Sequence, residues 1–380
     1  MIKRNARLKS TNTKGFGADA VFVFLVLALA VYGTVIVISA GMEYADVRYQ
    51  DRLYFAKRHA VWLTVGFVTM LLSSRIDVEK YKKHTPKLYA VTLVLLALVL
   101  AVGLVGNGAK RWISIGPITI QPSELSKLTL VMILALYFSK HEDKITDKRK
   151  SGVFKYGTLY PCLIMLSIII PVMLQKHLSC IIILGLIGLS TIFLSGANTK
   201  YIRYFCIAAI IGVTCLALFT DYTKDRIMVW RDPESYKLTG GWQTLQGLMA
   251  IGSGGLFGVG LGNSVLKHCY VSEPANDMVF TILCEELGFV GAALAMLLFI
   301  LLILRGYHVS LKQKDTYARL LGLGISTKMA IQVLLNVAVV TNTIPNTGIS
   351  LPFFSYGGSS LIMLFFEMGI MLSLSRKVNL

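Results

Sequence analysis

Charge is scarce in this chain. Asp, Glu, Lys and Arg together make up 15% of its 380 residues, against about 25% in a soluble globular domain. Acid is the scarcer sign, with 20 Asp and Glu against 38 Lys and Arg. Long polar tracts are lacking too, which excludes disorder and coiled coil, and glycine without a three-residue period excludes collagen. The six cysteines, at positions 162, 180, 206, 215, 269 and 284, form no C-x-x-C pair, so neither a zinc site nor a redox motif is supported. What the chain has instead is apolar surface: 55% of its residues are hydrophobic, so its solvent is mostly lipid.

A helix crossing a bilayer core needs about 20 apolar residues. Ten runs qualify, roughly 18–41, 58–74, 87–105, 123–139, 159–174, 178–195, 204–220, 278–304, 318–341 and 357–375. The expected fold is therefore all-α, a polytopic membrane protein in one domain over residues 1–380. Basic residues avoid these runs. Segments 1–17, 75–87, 140–158 and the alternate ones after them hold 24 Lys and Arg, against twelve in the other set. Positive-inside then places both termini in the cytoplasm, with 1–17 a basic cytoplasmic segment. It places 42–57, 106–122, 342–356 and a large loop at 221–277 outside. The charge lies in loops rather than on one face, so +18 does not point to nucleic acid.

Ionisable groups inside spans are costly and mark function by default. Glu124 and Lys127, three apart, share a helix face; they read either as a self-neutralising pair or as the lining of a cavity for a charged substrate. Asp277 opens the eighth span, where an ordinary helix cap is the plainer reading. Glu285 and Glu286 read as structural, with Lys328 and the Glu367 region as possible partners. Lys110 and Arg111 sit beside Trp112 in an outward loop. The run GSGGLFGVGLG at 252–262 has neither dinucleotide-fingerprint spacing nor a phosphate-loop lysine, so its glycines are read as close backbone packing or sharp turning.

Four blocks then resemble one family: GAKRWISIGPITIQPSELSKL at 108–128, AIGSGGLFGVGLGNS at 250–264, EPANDMVFTILCEELGFVGA at 273–292 and GISLPFFSYGGSSLI at 348–362. They resemble the shape, elongation, division and sporulation family, and GLGNS resembles its division and sporulation branch. The resemblance implies a bacterial cell-membrane glycosyltransferase that polymerises lipid II into glycan on the outer face, beside a class B penicillin-binding protein. It implies Asp277 as the essential aspartate and general base, its ionised form favoured by the helix N-terminus. Lys110, Arg111 and Lys127 become candidates for the leaving diphosphate. Glu124 would orient Lys127 or hold a divalent cation bridging the phosphates; no all-protein metal cage is visible. Ser355, Tyr356 and Ser359 are candidates for the saccharide path. Two departures stand out: Gln175-Lys176-His177 lacks the family's Pro-Asp, and Ala275-Asn276-Asp277-Met278 replaces His-Thr-Asp-Phe. Alternatives are a lipid II flippase or a non-catalytic scaffold for a transpeptidase.

Overall fold

A computed structural model of the protein describes residues 19–106, 109–115, 118–146, 153–201, 203–204, 207, 221–267, 270 and 273–378. The expected span at 204–220 lies almost wholly outside them, as do the basic segment 1–17 and three of the six cysteines. The described chain is mostly helical. Helix α1 runs Ala20–Tyr49, α2 Tyr54–Ser74, α3 Val78–Val102 and α4 Pro122–Lys140. A short α5 (Glu142–Thr146) and one π turn (Lys155–Leu159) precede α6, Tyr160–Leu174, and α7, Leu178–Leu194. Then come α8, Asp221–Arg231, α9, Gly241–Ser253, α10, Val279–Leu311, α11, Thr316–Val340, and α12, Gly358–Ser375. Six of the described helical segments are long and apolar enough to cross a membrane: α1, α3, α6 with its π turn, α10, α11 and α12.

Several helices outrun their apolar stretches. The α1 run ends near residue 41, yet the helix continues to Tyr49 through Glu43, Asp46 and Arg48, and stops where Gln50 turns left-handed. Asp19 starts it, accepting from the Val21 and Phe22 amides while ion-pairing with Arg305 at 2.7 Å. Helix α3 begins nine residues before its apolar run, so Lys80, Lys82 and Lys83 lie on helix rather than loop.

The all-α expectation needs one correction. Residues 104–106, 109–115 and 118–120 form strands β1, β2 and β3 of a small antiparallel sheet, ordered β1-β2-β3. Ile113-Ser114-Ile115 pairs with Ile118-Thr119-Ile120. That period-two alternation of apolar and polar residues is a strand signal.

Close crossings set the core. A Cβ at Gly33 would lie 2.3 Å from the Phe353 carbonyl, so α1 meets the 348–356 loop backbone directly. Gly306 faces Ser326 and Gly322 faces Ser310 along the α10–α11 seam. Small residues let lipid-embedded helices approach, because apolar side chains gain little by leaving apolar solvent.

Candidate functional site

The glycine block packs against α10. Gly288 interrupts that helix at φ 64°, ψ −164°. The break would leave backbone groups unpaired, a severe cost in lipid. The 254–260 segment pairs them: Val259 and Gly260 donate to the Glu285 and Glu286 carbonyls at 2.9 and 3.0 Å, while Phe289 and Val290 donate to the Gly255 and Leu256 carbonyls. Glu285 and Glu286 are structural, as expected, but their partners differ from those expected. Glu285 accepts from the Ser264 hydroxyl and the Val265 amide; Glu286 accepts from Ser39 and pairs with Lys267 at 3.0 Å. Lys328 pairs instead with Glu367.

Above this core lies an open cavity of about 1290 Å³. Its wall joins Arg58 and Trp62 of α2, Arg111 and Trp112 of β2, Glu124 and Lys127 of α4, His177 and Cys180 at the start of α7, Arg226 and Trp230 of α8, Asp277, and Tyr356 and Ser360. Segments separated by up to 300 residues thus meet around one space.

Asp277 stands where three segments are strapped together. Asn336 Nδ2 donates to the Asp277 carbonyl at 3.0 Å and to the Ile349 carbonyl at 2.6 Å. Tyr356 N donates to the Ala275 carbonyl, and Ser355 Oγ donates to the Asn276 carbonyl at 2.7 Å. The cap reading fails: Met278, not Asp277, is the residue before α10, and among the described residues no side chain caps that helix. The expected bias toward ionisation reverses as well. Burial, reinforced by Glu273 and offset by Arg226, pushes the Asp277 carboxyl up to about 6. Gly348, at φ 66°, passes so close that a Cβ there would sit 3.2 Å from Asp277 Oδ2.

On α4, Lys127 Nζ meets both Glu124 oxygens, at 2.8 and 2.7 Å, with Lys127 3% exposed. Arg111 Nη2 donates to the Lys176 carbonyl at 2.7 Å, and its buried Nε has no partner among the described residues. Lys110 and Arg111 part at a bulge: Val105 pairs with Lys110 and Leu104 with Trp112, which leaves Arg111 as the extra residue. Lys110 is exposed, and its Nζ lies 3.5 Å from the Ala101 carbonyl, off the cavity wall. His177 stands on the wall between α6 and α7. Burial, reinforced by Arg111, pushes its imidazole down to about 3, so it is neutral near pH 7.

Among the saccharide-path candidates, Tyr356 lines the cavity, edge-on to Phe55 at 4.8 Å between ring centres. Ser355 is buried beneath it, its hydroxyl spent on the Leu351 amide and the Asn276 carbonyl. Ser359 is not on the wall; Ser360 is. Sequence reading also passed over Arg58 and Arg226. Arg58 stacks over Tyr54 at 4.7 Å, and Arg226 donates to the Asn346 carbonyl. Neither stood out among the basic residues flanking spans or within the 221–277 loop. Among the described residues no three His, Cys, Asp or Glu side chains cluster as a metal site, and both Glu124 oxygens face Lys127. A resident divalent cation is a poor fit to these residues.

The FTSW_RODA_SPOVE family, described as cell cycle protein, matches residues 19–380. Stage V sporulation protein E of Bacillus subtilis is 37% identical over 366 residues, 96% of this chain and 98% of that protein. A probable peptidoglycan glycosyltransferase FtsW of Geobacter sulfurreducens is 34% identical, covering 95% and 96%. Among solved structures, a chain described under structural coordination of polymerization and crosslinking by a peptidoglycan synthase complex aligns with a TM-score of 0.79 at 27% identity, covering 95% of this chain and 98% of that one. Thermus thermophilus RodA aligns at 0.69 and 28% identity, covering 95% and 97%. Sequence and fold agree: the chain belongs to the FtsW, RodA and SpoVE family of cell cycle proteins.

Proposed function

We propose that the protein is a peptidoglycan glycosyltransferase that polymerises lipid II on the outer face of the bacterial plasma membrane, in division or sporulation wall synthesis. The observation that carries this is the large cavity in which a carboxylate near neutrality, Asp277, shares walls with Arg111 and Lys127. Whole-length relatives named as peptidoglycan glycosyltransferases support it.

The chemistry is an inverting displacement. Asp277 takes the proton from the acceptor sugar hydroxyl as its oxygen attacks the anomeric carbon of the donor, and the bond to the undecaprenyl diphosphate breaks. A base is most useful when its pKa lies near the working pH. Arg111 and Lys127 stabilise the departing diphosphate, Arg111 with an Nε that no described group engages. Arg226 and Arg58 add positive charge to the walls. His177, neutral in place of the family's usual aspartate, contributes a hydrogen-bonding group without charge. No step runs through a metal.

The chain is one domain of ten spans with both termini in the cytoplasm, so the cavity opens outward between the 221–277 region and the 342–356 loop. Its partner is a class B penicillin-binding protein, which crosslinks the glycan it makes. The test is glycan formation from lipid II by the purified protein with that partner. Asp277→Asn should express, join the partner and lose about 10²-fold or more in polymerisation, the usual loss for a missing general base. Near-normal product from that variant would end the assignment.

A further inference from the structure

Beneath the cavity floor lies a second ion pair that the proposed chemistry leaves unused. Lys328 of α11 pairs with Glu367 of α12, and their side chains are 4% and 1% exposed. Deep burial of three of these four charges, with Glu124 only 12% exposed, needs a reason, because an isolated buried pair gains less from attraction than it loses in hydration. The two pairs are neighbours. A small pocket of about 20 Å³ lies between Glu124 and Lys328, and it shares Gln332 and Ser360 with the large cavity. Glu124 and Lys328 line that pocket together, so the two pairs present opposite charges to each other across it.

We propose that Lys328 is the standby counter-ion of Glu124, with Glu367 holding it in place, so that the Lys127 ammonium can turn to an anionic diphosphate without stranding a buried carboxylate. The inference rests on the reading of Lys127 as a diphosphate-binding residue. In the resting protein Lys127 is occupied on both of its partner's oxygens. Any anion arriving in the cavity must draw it away. Without a cation on its far side, Glu124 would oppose that movement twice, by holding Lys127 and by repelling the anion. With Lys328 behind it, Glu124 keeps a counter-ion as Lys127 leaves. Lys328 and Glu367 are positioning residues in this scheme, since neither touches the ligand.

A charge swap separates this from a merely structural pair. Lys328→Glu combined with Glu367→Lys keeps the two residues bonded to each other but sets a carboxylate against Glu124. A pair that serves only stability is restored by the swap. A standby counter-ion is not. The probe is undecaprenyl diphosphate titrated into the detergent-purified full chain, read by the fluorescence of Trp62, Trp112 and Trp230 on the cavity wall. The swapped protein should melt within a few degrees of the parent yet bind at least about tenfold more weakly, a typical coupling between contacting charges. Lys328→Met with Glu367→Met removes both charges at similar volume and should fold, with the same loss. It covers the case in which the swap does not fold. Undiminished binding by either folded variant overturns the proposal, as does a parent protein that does not bind the diphosphate. A parent that binds the probe but makes no glycan, with binding weakened by the swap, overturns the glycosyltransferase reading and leaves this one standing.

Discussion

Asp277 carries the sharpest consequences at the scale of single residues. With its carboxyl at about 6, polymerisation should rise as pH climbs through that value and level off above it. The stability sign runs opposite. The folded value lies above the usual 3.8, so the fold favours the protonated form; that stabilisation is complete below pH 3.8 and is lost as pH rises through about 6. Asp277→Asn avoids the cost of ionisation, so it should melt no lower than the parent at pH 7.5, with any advantage gone by pH 4. A clear destabilisation at pH 7.5, read by thermal unfolding in detergent, would contradict the buried, unfavourable carboxylate. For the cations, Arg111→Gln should lower turnover of lipid II tenfold or more, as about 1.5–3 kcal/mol per charged hydrogen bond implies, whereas Lys110→Gln should change it little. Equal turnover losses at 110 and 111 would show that the β2 bulge does not divide their roles. The sequence made these two neighbours equivalent; only the β2 register separates them.

At the scale of elements, the crossing of the glycine block over α10 is the most demanding feature. Gly258 sits at φ 79°, and a Cβ there would lie 2.2 Å from the Glu286 carbonyl. Gly258→Ala therefore combines a left-handed backbone penalty of roughly 1–2 kcal/mol with a backbone clash, and it should unfold well below the parent in a thermal melt. Gly252, in α9, faces open space, so Gly252→Ala should melt at or slightly above the parent, since alanine favours helix by about 0.5–1 kcal/mol. If both melt alike, the crossing is not what requires glycine. The close-packing role was legible, because six glycines in eleven residues without a phosphate-binding lysine leave little else. The break at Gly288 was not. A single glycine within an apolar run carries no mark of interruption, and the pairing that permits the break comes from residues about 30 positions away. For the same reason the partners expected for Glu285 and Glu286, Lys328 and the Glu367 region, were the wrong ones: Ser264, Lys267 and Ser39 lie on a loop and another helix.

At the scale of the whole molecule, helices were legible wherever lipid dictated composition, and they were misjudged at their ends, where it does not. Apolar runs located nine described helices, six of them long and apolar enough to cross a membrane, but missed the polar extensions of α1 and α3 and the two helices inside the 221–277 region. Those extensions are held by backbone bonds and neighbours, which hydropathy does not record. The cavity was legible as a set of residues and not as a shape: Arg58 and Arg226 become wall residues only when α2 and α8 meet the Asp277 segment. The proposed outward opening of the cavity rests on the twofold excess of Lys and Arg in one set of loops, with the positive set inside. Two exposed positions on opposite sides of that arrangement test it. Leu238, 90% exposed between α8 and α9, should lie outside, and Lys83, exposed near the start of α3, inside. In intact spheroplasts a membrane-impermeant maleimide should label Leu238→Cys above the background of the parent chain. Lys83→Cys should label only after permeabilisation. The reverse pattern would turn the cavity toward the cytoplasm, where the lipid-linked sugars of a growing outer wall do not accumulate, and would remove the glycosyltransferase reading along with the orientation. Labelling of both from the same side would mean that the spans between them do not number an odd count, and the ten-span arrangement would fall.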